Sequence, residues 1–324
     1  MVWEPSRNPL PSTLAKRKIF WGIRPKFPQK PPLMNLLTGT GTMKNCKLYL
    51  NIAGYCMAKG SHAVKGESPK DIPFKALFGL IQHPEKGWIL FDTGYTRRFY
   101  NATRFFPNKM YALTTRVLVD EKDEIKSQIE NAGIHCDDIR HVIISHFHAD
   151  HIGGLKDFSN ATFYCSQTAW DQVKQMSNFM AFSKGILKGL IPEDFESRLK
   201  FVEEAGSKIP DAVFGHAHDL FNDNSILVYN LPGHAAGQIG IALQTQTRKY
   251  FLIADACWDE RAYLEMKLPH PIVRLVFHSW KEYVATVSKI QRYHELFPDV
   301  WIVPAHCSAS TDKVIRSNID LNVL

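Results

Sequence analysis

Residues 145–154 read SHFHADHIGG and place three histidines and one aspartate within six positions. Histidine makes up only 14 of the 324 residues, so a chance cluster in a solvated loop is a poor explanation. Imidazole and carboxylate groups are costly to remove from water unless something pairs with them. Because zinc and similar divalent ions accept both groups as ligands, the stretch predicts a metal site.

The strand before the cluster sets the direction of its side chains. The apolar run HVIIS ends at Ser145, and in extended backbone residues two apart point to the same side. His146 and His148 are therefore expected to reach one point, while Asp150 and His151 reach a neighbouring point as the chain turns. Two ligand groups a short distance apart predict two ions.

Three later strand ends offer further ligands. His234 lies between two glycines in NLPGHAAGQIG, Asp255 ends the apolar run YFLIAD, and His306 ends VWIVPAH. Alone, each is more often a hydrogen-bonded turn residue than a ligand. Three of them in the same chain as the cluster predict that they complete the metal site.

Composition and charge narrow the class of protein. Apolar residues make up 45% of the chain and charged residues 22%, which is typical of a globular protein with a sizeable core. No apolar run approaches the ~20 residues of a membrane-spanning helix, so we expect no membrane partner. The net charge of +7 is concentrated in the proline-rich residues 1–45, where Glu4 is the only acid, so we expect no nucleic-acid partner. Six cysteines without a C-x-x-C pair predict buried thiols and a cytoplasmic location.

The pattern after the basic extension over residues 1–45 predicts one α+β domain over residues 46–324, with two sheet layers between helices. Amphipathic helices are predicted within residues 120–134, 167–176 and 280–297. Strands are predicted within residues 46–56, 75–82, 87–95, 139–145, 160–166, 224–233, 237–245, 248–256 and 300–307. We interpret residues 177–222 as a helical or irregular insertion that roofs a pocket.

The motif HFHADHIGG resembles the H-x-H-x-D-H signature of the metallo-β-lactamase superfamily, and the resemblance spans roughly residues 46–310. The segment IQHPEKGWILFDTGY and the spacing of the later ligands are most similar to the N-acyl-homoserine lactonase branch. The resemblance implies an αβ/βα four-layer sandwich with two divalent metal ions at one edge. Zinc is the expected metal, with iron, manganese or cobalt as alternatives.

The resemblance also implies a role for each ligand. His146, His148 and His234 would hold one ion, Asp150, His151 and His306 the other, and Asp255 would bridge both. Asp92 would accept a hydrogen bond that orients a ligand imidazole.

The implied reaction is hydrolysis of a lactone or related ester. A water bridging two cations is acidified from a pKa near 16 to about 7, so a hydroxide attacks the carbonyl carbon at neutral pH. Asp150 or Asp255 would carry the proton to the leaving oxygen. With acyl-homoserine lactones as substrate the activity would be quorum quenching, and a homodimer is left open. Thioester, phosphotriester or β-lactam hydrolysis and a non-catalytic ligand-binding role are the alternatives.

One residue departs from the lactonase branch, which usually has a tyrosine three residues after the bridging aspartate. Here that position is Trp258, and Tyr263 is a candidate substitute, although an ordinary half-buried aromatic residue is the simpler interpretation. Cys257 is a lesser candidate for a metal ligand, and His216 and His218 are interpreted as loop or pocket rim. Apolar residues of the insertion would line an acyl-chain channel or form its core: Phe179, Met180, Phe182, Ile186 and Leu187.

Overall fold

The computed structural model describes residues 43–317, which all belong to one compact unit. Many strands bury almost every residue, as in β10 (Ile226–Asn230) and β12 (Lys249–Ala254). A strand that is apolar at consecutive positions places side chains on both faces of its sheet, so both faces need cover. Two sheets packed together, with helices outside, meet that need.

The first sheet is mixed, with strand order β4-β1-β2-β3-β5-β6-β7. Its antiparallel half pairs β4 with β1, β1 with β2 and β2 with β3, and β3, β5, β6 and β7 then run parallel. Its strands are β1 (Lys47–Lys59), β2 (Asp71–His83), β3 (Gly87–Phe91), β4 (Arg116–Leu118), β5 (Ile139–Ile143), β6 (Thr162–Cys165) and β7 (Leu199–Phe201).

The second sheet has the order β13-β12-β11-β10-β9-β8 and is antiparallel except for the β12–β13 pair. Its remaining strands are β8 (Ser207–Asp211), β9 (Gly215–Asp219), β11 (Ile239–Gln244) and β13 (Val300–Pro304). The helices are α1 (Gly60–Ala63), α2 (Arg98–Ala102), α3 (Lys109–Thr114), α4 (Ile125–Asn131), α5 (Ala149–Ile152), α6 (Gln167–Gln175), α7 (Asn178–Ser183), α8 (Val202–Ala205), α9 (Arg261–Leu264), α10 (Trp280–Leu296) and α11 (Ser308–Ser317).

The buried apolar side chains form three main clusters, and alternate residues of one strand can belong to different clusters. Leu48 and Leu50 of β1 join Val228 of β10 in the cluster between the sheets, while the intervening Tyr49 faces the other way. The outer face of the first sheet packs on α4 and α6, and the outer face of the second sheet packs on α10. The result is the predicted four-layer αβ/βα sandwich, with layers held by burial of apolar side chains.

The predicted insertion at residues 177–222 differs from the structure in its second half. Residues 199–201 add β7 to the first sheet, and residues 207–219 add β8 and β9 to the second. The sequence analysis missed these strands because β7 and β8 are short and largely solvent-facing, so they lack an apolar alternation. The predicted extension over residues 1–45 lies almost wholly outside the described residues. Within residues 43–317, none of the helices is both long and apolar enough to cross a membrane.

Candidate metal centre

The predicted ligands lie just beyond the carboxyl ends of strands, along one edge of the sandwich. β5 leads into the 145–151 segment, β12 into Asp255 and β13 into His306. His234 follows β10 through Gly233, whose φ is +133°. A Cβ on Gly233 would lie 2.2 Å from the Tyr283 backbone nitrogen, so only glycine fits between this loop and α10.

The first ligand group brings together three imidazoles. His146 Nε2 lies 3.0 Å from His148 Nδ1, and His234 Nε2 lies 2.9 Å from the same His148 atom. The three side chains can offer one nitrogen each within 4.8 Å of one another, which is the spacing a single cation requires.

The second ligand group contains Asp150, His151 and His306. Asp150 and His151 lie in the single turn of α5, where the sequence analysis expected a loop. Asp150 Oδ2 lies 3.5 Å from His151 Nε2 and 3.4 Å from His306 Nε2. His306 Nδ1 donates to the Lys75 carbonyl at 2.8 Å, which directs its Nε2 toward the group.

Asp255 lies between the two groups. Its Oδ2 is 3.3 Å from His234 Nε2 and 3.0 Å from His306 Nε2, and its Oδ1 is 3.2 Å from His151 Nε2. One carboxylate therefore contacts imidazoles from both groups.

Asp92 and Ser145 hold the histidines from behind. The Asp92 carboxylate accepts hydrogen bonds from the Ser145 backbone N–H and hydroxyl, both at 2.7 Å, and from His151 Nδ1 at 2.8 Å. The Ser145 hydroxyl also lies 3.0 Å from His146 Nδ1. Burial raises the pKa of the Asp92 carboxyl, and the bonds from His151 and Ser145 oppose that rise. The interaction predicted for Asp92 is therefore present in the structure, with His151 as the ring that it orients.

The donor set fits divalent cations. His151 Nε2 and Asp255 Oδ1 are buried and have no hydrogen-bond partner of good geometry, although they lie 3.2 Å apart. Buried polar atoms without a partner are rare, and a cation between them would satisfy both. Five imidazoles and two carboxylates match zinc and its first-row neighbours, whereas calcium and magnesium prefer oxygen ligands.

Burial and charge divide the histidines into two kinds. Burial lowers the pKa of His146, His148 and His234, so these imidazoles are neutral at pH 7 and their lone pairs are available to a cation.

The other two histidines have pKa values shifted in the opposite direction. Burial alone would lower the pKa of His151 and His306. The surrounding carboxylates, which include Asp255, outweigh burial and raise the pKa of both rings. Burial alone would raise the pKa of Asp255, yet His306, His151 and His234 hold it well below its ordinary value. A cation bound here would replace protons rather than add charge to an apolar site.

Trp258 occupies the position where the resemblance led us to expect tyrosine. Its indole Nε1 donates to Asp255 Oδ2 at 2.8 Å, and its ring packs edge-on against Phe277 and Phe74. The N–H group is therefore bonded to the shared carboxylate rather than free in the cavity. Tyr263, the suggested substitute, is buried beside His294 and does not line the cavity.

A cavity of about 690 Å³ opens over the cluster, and His148, Asp150 and Asp255 form part of its floor. Phe182 and Val276 contribute apolar wall. Of the residues proposed for a channel, only Phe182 lines this cavity. Ile186 and Leu187 belong to the core and Phe179 and Met180 are exposed.

The structure also places residues that were interpreted differently from sequence. His216 and His218 lie in β9 rather than in a loop, because an alternating H-x-H pattern also suits a strand. Neither residue lines the cavity. Cys257 is fully buried and lies in no candidate ligand group among the described residues.

Sequence analysis missed Ser145, Tyr95 and Tyr111. The signal for Ser145 was its position between a buried strand and the first ligand. The two tyrosines line the cavity, and burial raises the pKa of both phenols. No local pattern marks them, because they lie far from the ligands in sequence.

Comparison with known proteins places these features in a family. The family profile described as the metallo-beta-lactamase superfamily matches residues 72–306. An N-acyl homoserine lactonase of Bacillus thuringiensis is 27% identical over 218 residues, which cover 67% of this chain and 78% of the lactonase.

Two solved structures share the fold. The structure of an N-acyl homoserine lactone hydrolase with the product N-hexanoyl-L-homoserine at its catalytic metal centre superimposes with a TM-score of 0.67 at 19% identity, over 84% of this chain and 97% of that one. A dizinc quorum-quenching lactonase in complex with a product has a TM-score of 0.56 at 19% identity, over 82% and 88% of the two chains.

Proposed function

This chain belongs to the metallo-β-lactamase superfamily, and from that premise we propose that it opens the ring of lactones, or cleaves related esters, with two divalent metal ions. The observation that carries the proposal is the position of Asp255, whose carboxylate contacts imidazoles of both ligand groups. A carboxylate shared in this way is suited to two cations and would be redundant beside one.

The proposal assigns seven ligands. His146, His148 and His234 would hold one ion, Asp150, His151 and His306 would hold the other, and Asp255 would be shared between the two groups. Bound zinc, or iron, manganese or cobalt in its place, would supply an acidified water and polarise the substrate carbonyl.

The chain itself supplies orientation and proton transfer. The buried Asp150 carboxylate lines the cavity, so it is placed to take a proton from the nucleophilic water and to pass it to the leaving oxygen. Asp255 is the second candidate for this proton, but its bond from Trp258 and its three imidazole neighbours favour the ionised state. Asp92 fixes the ring of His151 by accepting a hydrogen bond from its Nδ1–H group.

Two observations support lactones as the substrate class: the activities of the relatives and the apolar side chains in the cavity wall. The relatives include N-acyl homoserine lactonases, and the cavity over the cluster has room and apolar wall for an acyl chain. With such substrates the biological effect would be quorum quenching. Free thiols at all six cysteines support a reducing, cytoplasmic location.

The test is a substrate panel on the metal-loaded protein. Acid release is followed by pH-stat with acyl-homoserine lactones, simple γ-lactones, aryl esters, thioesters, phosphotriesters and a β-lactam. We expect turnover of lactones, with esters next, and loss of all activities together in His148→Ala and Asp255→Ala. His135→Ala is the matched control, because His135 is an exposed histidine outside the centre.

Two results would count against the proposal in different ways. Turnover of phosphotriesters or thioesters without lactones would move the substrate to another class while leaving the ligands in place. A metal content of one ion or none per chain, unchanged by Asp255→Ala, would remove the two-metal assignment itself.

A further inference from the structure

The largest exposed apolar side chains of the described chain are concentrated on three segments. The six most exposed, with 56–81% of their surface accessible, form what we call the apolar rim: Phe105, Phe106, Leu113, Phe179, Met180 and Leu275. Single exposed apolar residues are normal on a protein surface, but a concentration of them marks a surface that contacts something else.

Each of the three segments that carry the apolar rim also contributes to the cavity wall. The segment that carries Phe105 to Leu113 contributes Tyr111 to the cavity wall, and the segment after Met180 contributes Phe182. Leu275 itself lines the cavity. Whatever covers the rim therefore contacts the same segments that form the cavity wall.

The same segments are uniformly basic. Residues 98–118 contain four Lys/Arg, residues 176–188 contain two and residues 266–281 contain three, and none of the three segments contains Asp or Glu. Only Arg98 and Lys267 of these nine side chains form an ion pair within residues 43–317. The other seven form none there: Arg104, Lys109, Arg116, Lys184, Lys188, Arg274 and Lys281. Arg104 stacks on Phe105 with its guanidinium 5.3 Å from the ring centroid, so charge and apolar surface are adjacent.

We propose that the apolar rim docks onto an anionic lipid surface and presents the cavity mouth to it. Exposed apolar side chains can enter the interface between headgroups and acyl chains, and Lys and Arg beside them pair with anionic headgroups. A second copy of this chain is a poorer occupant, because two rims facing each other would bring like charges together. Docking at a lipid surface needs no membrane-spanning segment, so it is compatible with the lack of a long apolar run in the sequence. The proposal does not depend on the reaction at the metal centre.

Vesicle sedimentation with the full-length chain tests the proposal. Sucrose-loaded vesicles of phosphatidylcholine are compared with vesicles of equal parts phosphatidylcholine and phosphatidylglycerol, at low and high salt. One variant, Phe106→Ser with Leu113→Ser, removes apolar surface. A second, Arg104→Gln with Lys109→Gln, removes two charges. The matched control is Lys208→Gln with Lys289→Gln, which removes two exposed charges beside His216, a residue outside the cavity.

We expect binding to the anionic vesicles that weakens with salt, and little binding to phosphatidylcholine alone. Each lysine or arginine removed beside the apolar rim should lower the partition coefficient for anionic vesicles about fivefold. The Phe106→Ser, Leu113→Ser variant should lower the partition coefficient at least about fivefold as well. The control variant should bind like the parent. Because all substitutions are at solvent-facing positions, unchanged circular dichroism will show that each variant is folded.

Three results would overturn the proposal. One is no binding of the parent chain to anionic vesicles. Another is binding that both rim variants and the control retain equally, since attraction would then come from another basic region such as residues 1–45. The third is self-association of the parent in sedimentation velocity that the rim variants abolish, since a second copy would then cover the rim.

Discussion

Replacing Asp92 with asparagine tests whether the orientation of His151 contributes to metal binding, because Asp92 contacts His151 but belongs to neither ligand group. Asp92 lies in neither ligand group, but its carboxylate accepts three hydrogen bonds, one of them from His151 Nδ1 at 2.8 Å. Asparagine has nearly the same shape and keeps one oxygen for the Ser145 backbone N–H. Its amide nitrogen then faces Ser145 Oγ and His151 Nδ1, where two acceptor positions were.

The magnitude follows from which of these partners can adapt. The Ser145 hydroxyl can rotate and accept from the amide, so its bond is exchanged rather than lost. The imidazole of His151 cannot rotate its N–H, and it avoids a donor–donor contact only by moving the proton to Nε2, the atom that faces the second ligand group. Losing one hydrogen bond to a charged group lowers the free energy of unfolding by about 1.5–3 kcal/mol. The wrong tautomer should weaken metal binding by about 10–100-fold.

Competition against a chromophoric zinc chelator measures both sites at once. We expect Asp92→Asn to weaken one site and leave the other near its parent affinity, because only the group with His151 is disturbed. Ser145→Ala is the matched comparison, since it removes a hydroxyl bond to Asp92 and leaves the His151 bond intact. It also removes the contact with His146 Nδ1, so any loss in this variant is expected at the first group and not at the group with His151. Equal weakening of both sites, or the same loss in Ser145→Ala, would refute the reasoning.

Three further predictions test other parts of the centre. Zinc at about a hundredfold excess over Kd should raise the free energy of unfolding by about 3 kcal/mol per site, and thermal melts with and without EDTA will measure it. Trp258→Phe keeps the ring packing but loses the 2.8 Å bond to Asp255, so kcat/KM should fall about tenfold while the melting temperature stays near that of the parent. Burial lowers the pKa of His141 to about 4. Between about pH 6.5 and 4 the unfolded chain therefore binds a proton at His141 that the folded chain does not bind. The free energy of unfolding consequently decreases as the pH falls through that window. Urea titrations at pH 7 and pH 5 should differ by about 1 kcal/mol more for the parent than for His141→Gln, and parallel losses would contradict this.

The convergence of these seven side chains was predictable because each has a signal that survives without the fold. Four of them are compressed into the 146–151 segment, and the other three end or follow strongly apolar strands. Strands that are buried on both faces give long apolar runs, so their ends are easy to locate. A polar residue directly after such an apolar run is unexpected, and it therefore indicates a candidate ligand.

The strands β7 to β9 were not predictable for the opposite reason. β8 reads SKIPD and exposes or half-exposes every residue, because it forms the edge of its sheet and pairs only with β9. Its existence depends on a neighbouring strand rather than on its own side chains, and edge strands commonly carry Lys and Pro. His218 illustrates the same limit, since it is buried in β9, which pairs with β10, and no local sequence pattern marks that burial.

Trp258 shows that identifying a position differs from identifying its chemistry. The sequence located the residue three positions after Asp255, but only the structure gives its bond partner, the carboxylate shared by both ligand groups. A donor bonded to Asp255 stabilises the ionised carboxylate that two cations need, and for the same reason it is not available to a substrate carbonyl. Substrate orientation must then come from other groups that line the cavity, of which the phenols of Tyr95 and Tyr111 are the hydroxyl donors closest in kind to the tyrosine that is absent. The substrate preference of this chain is therefore expected to differ from that of the lactonases it resembles even if all seven ligands are shared, because ligands determine the reaction and the wall determines which carbonyl is presented to it.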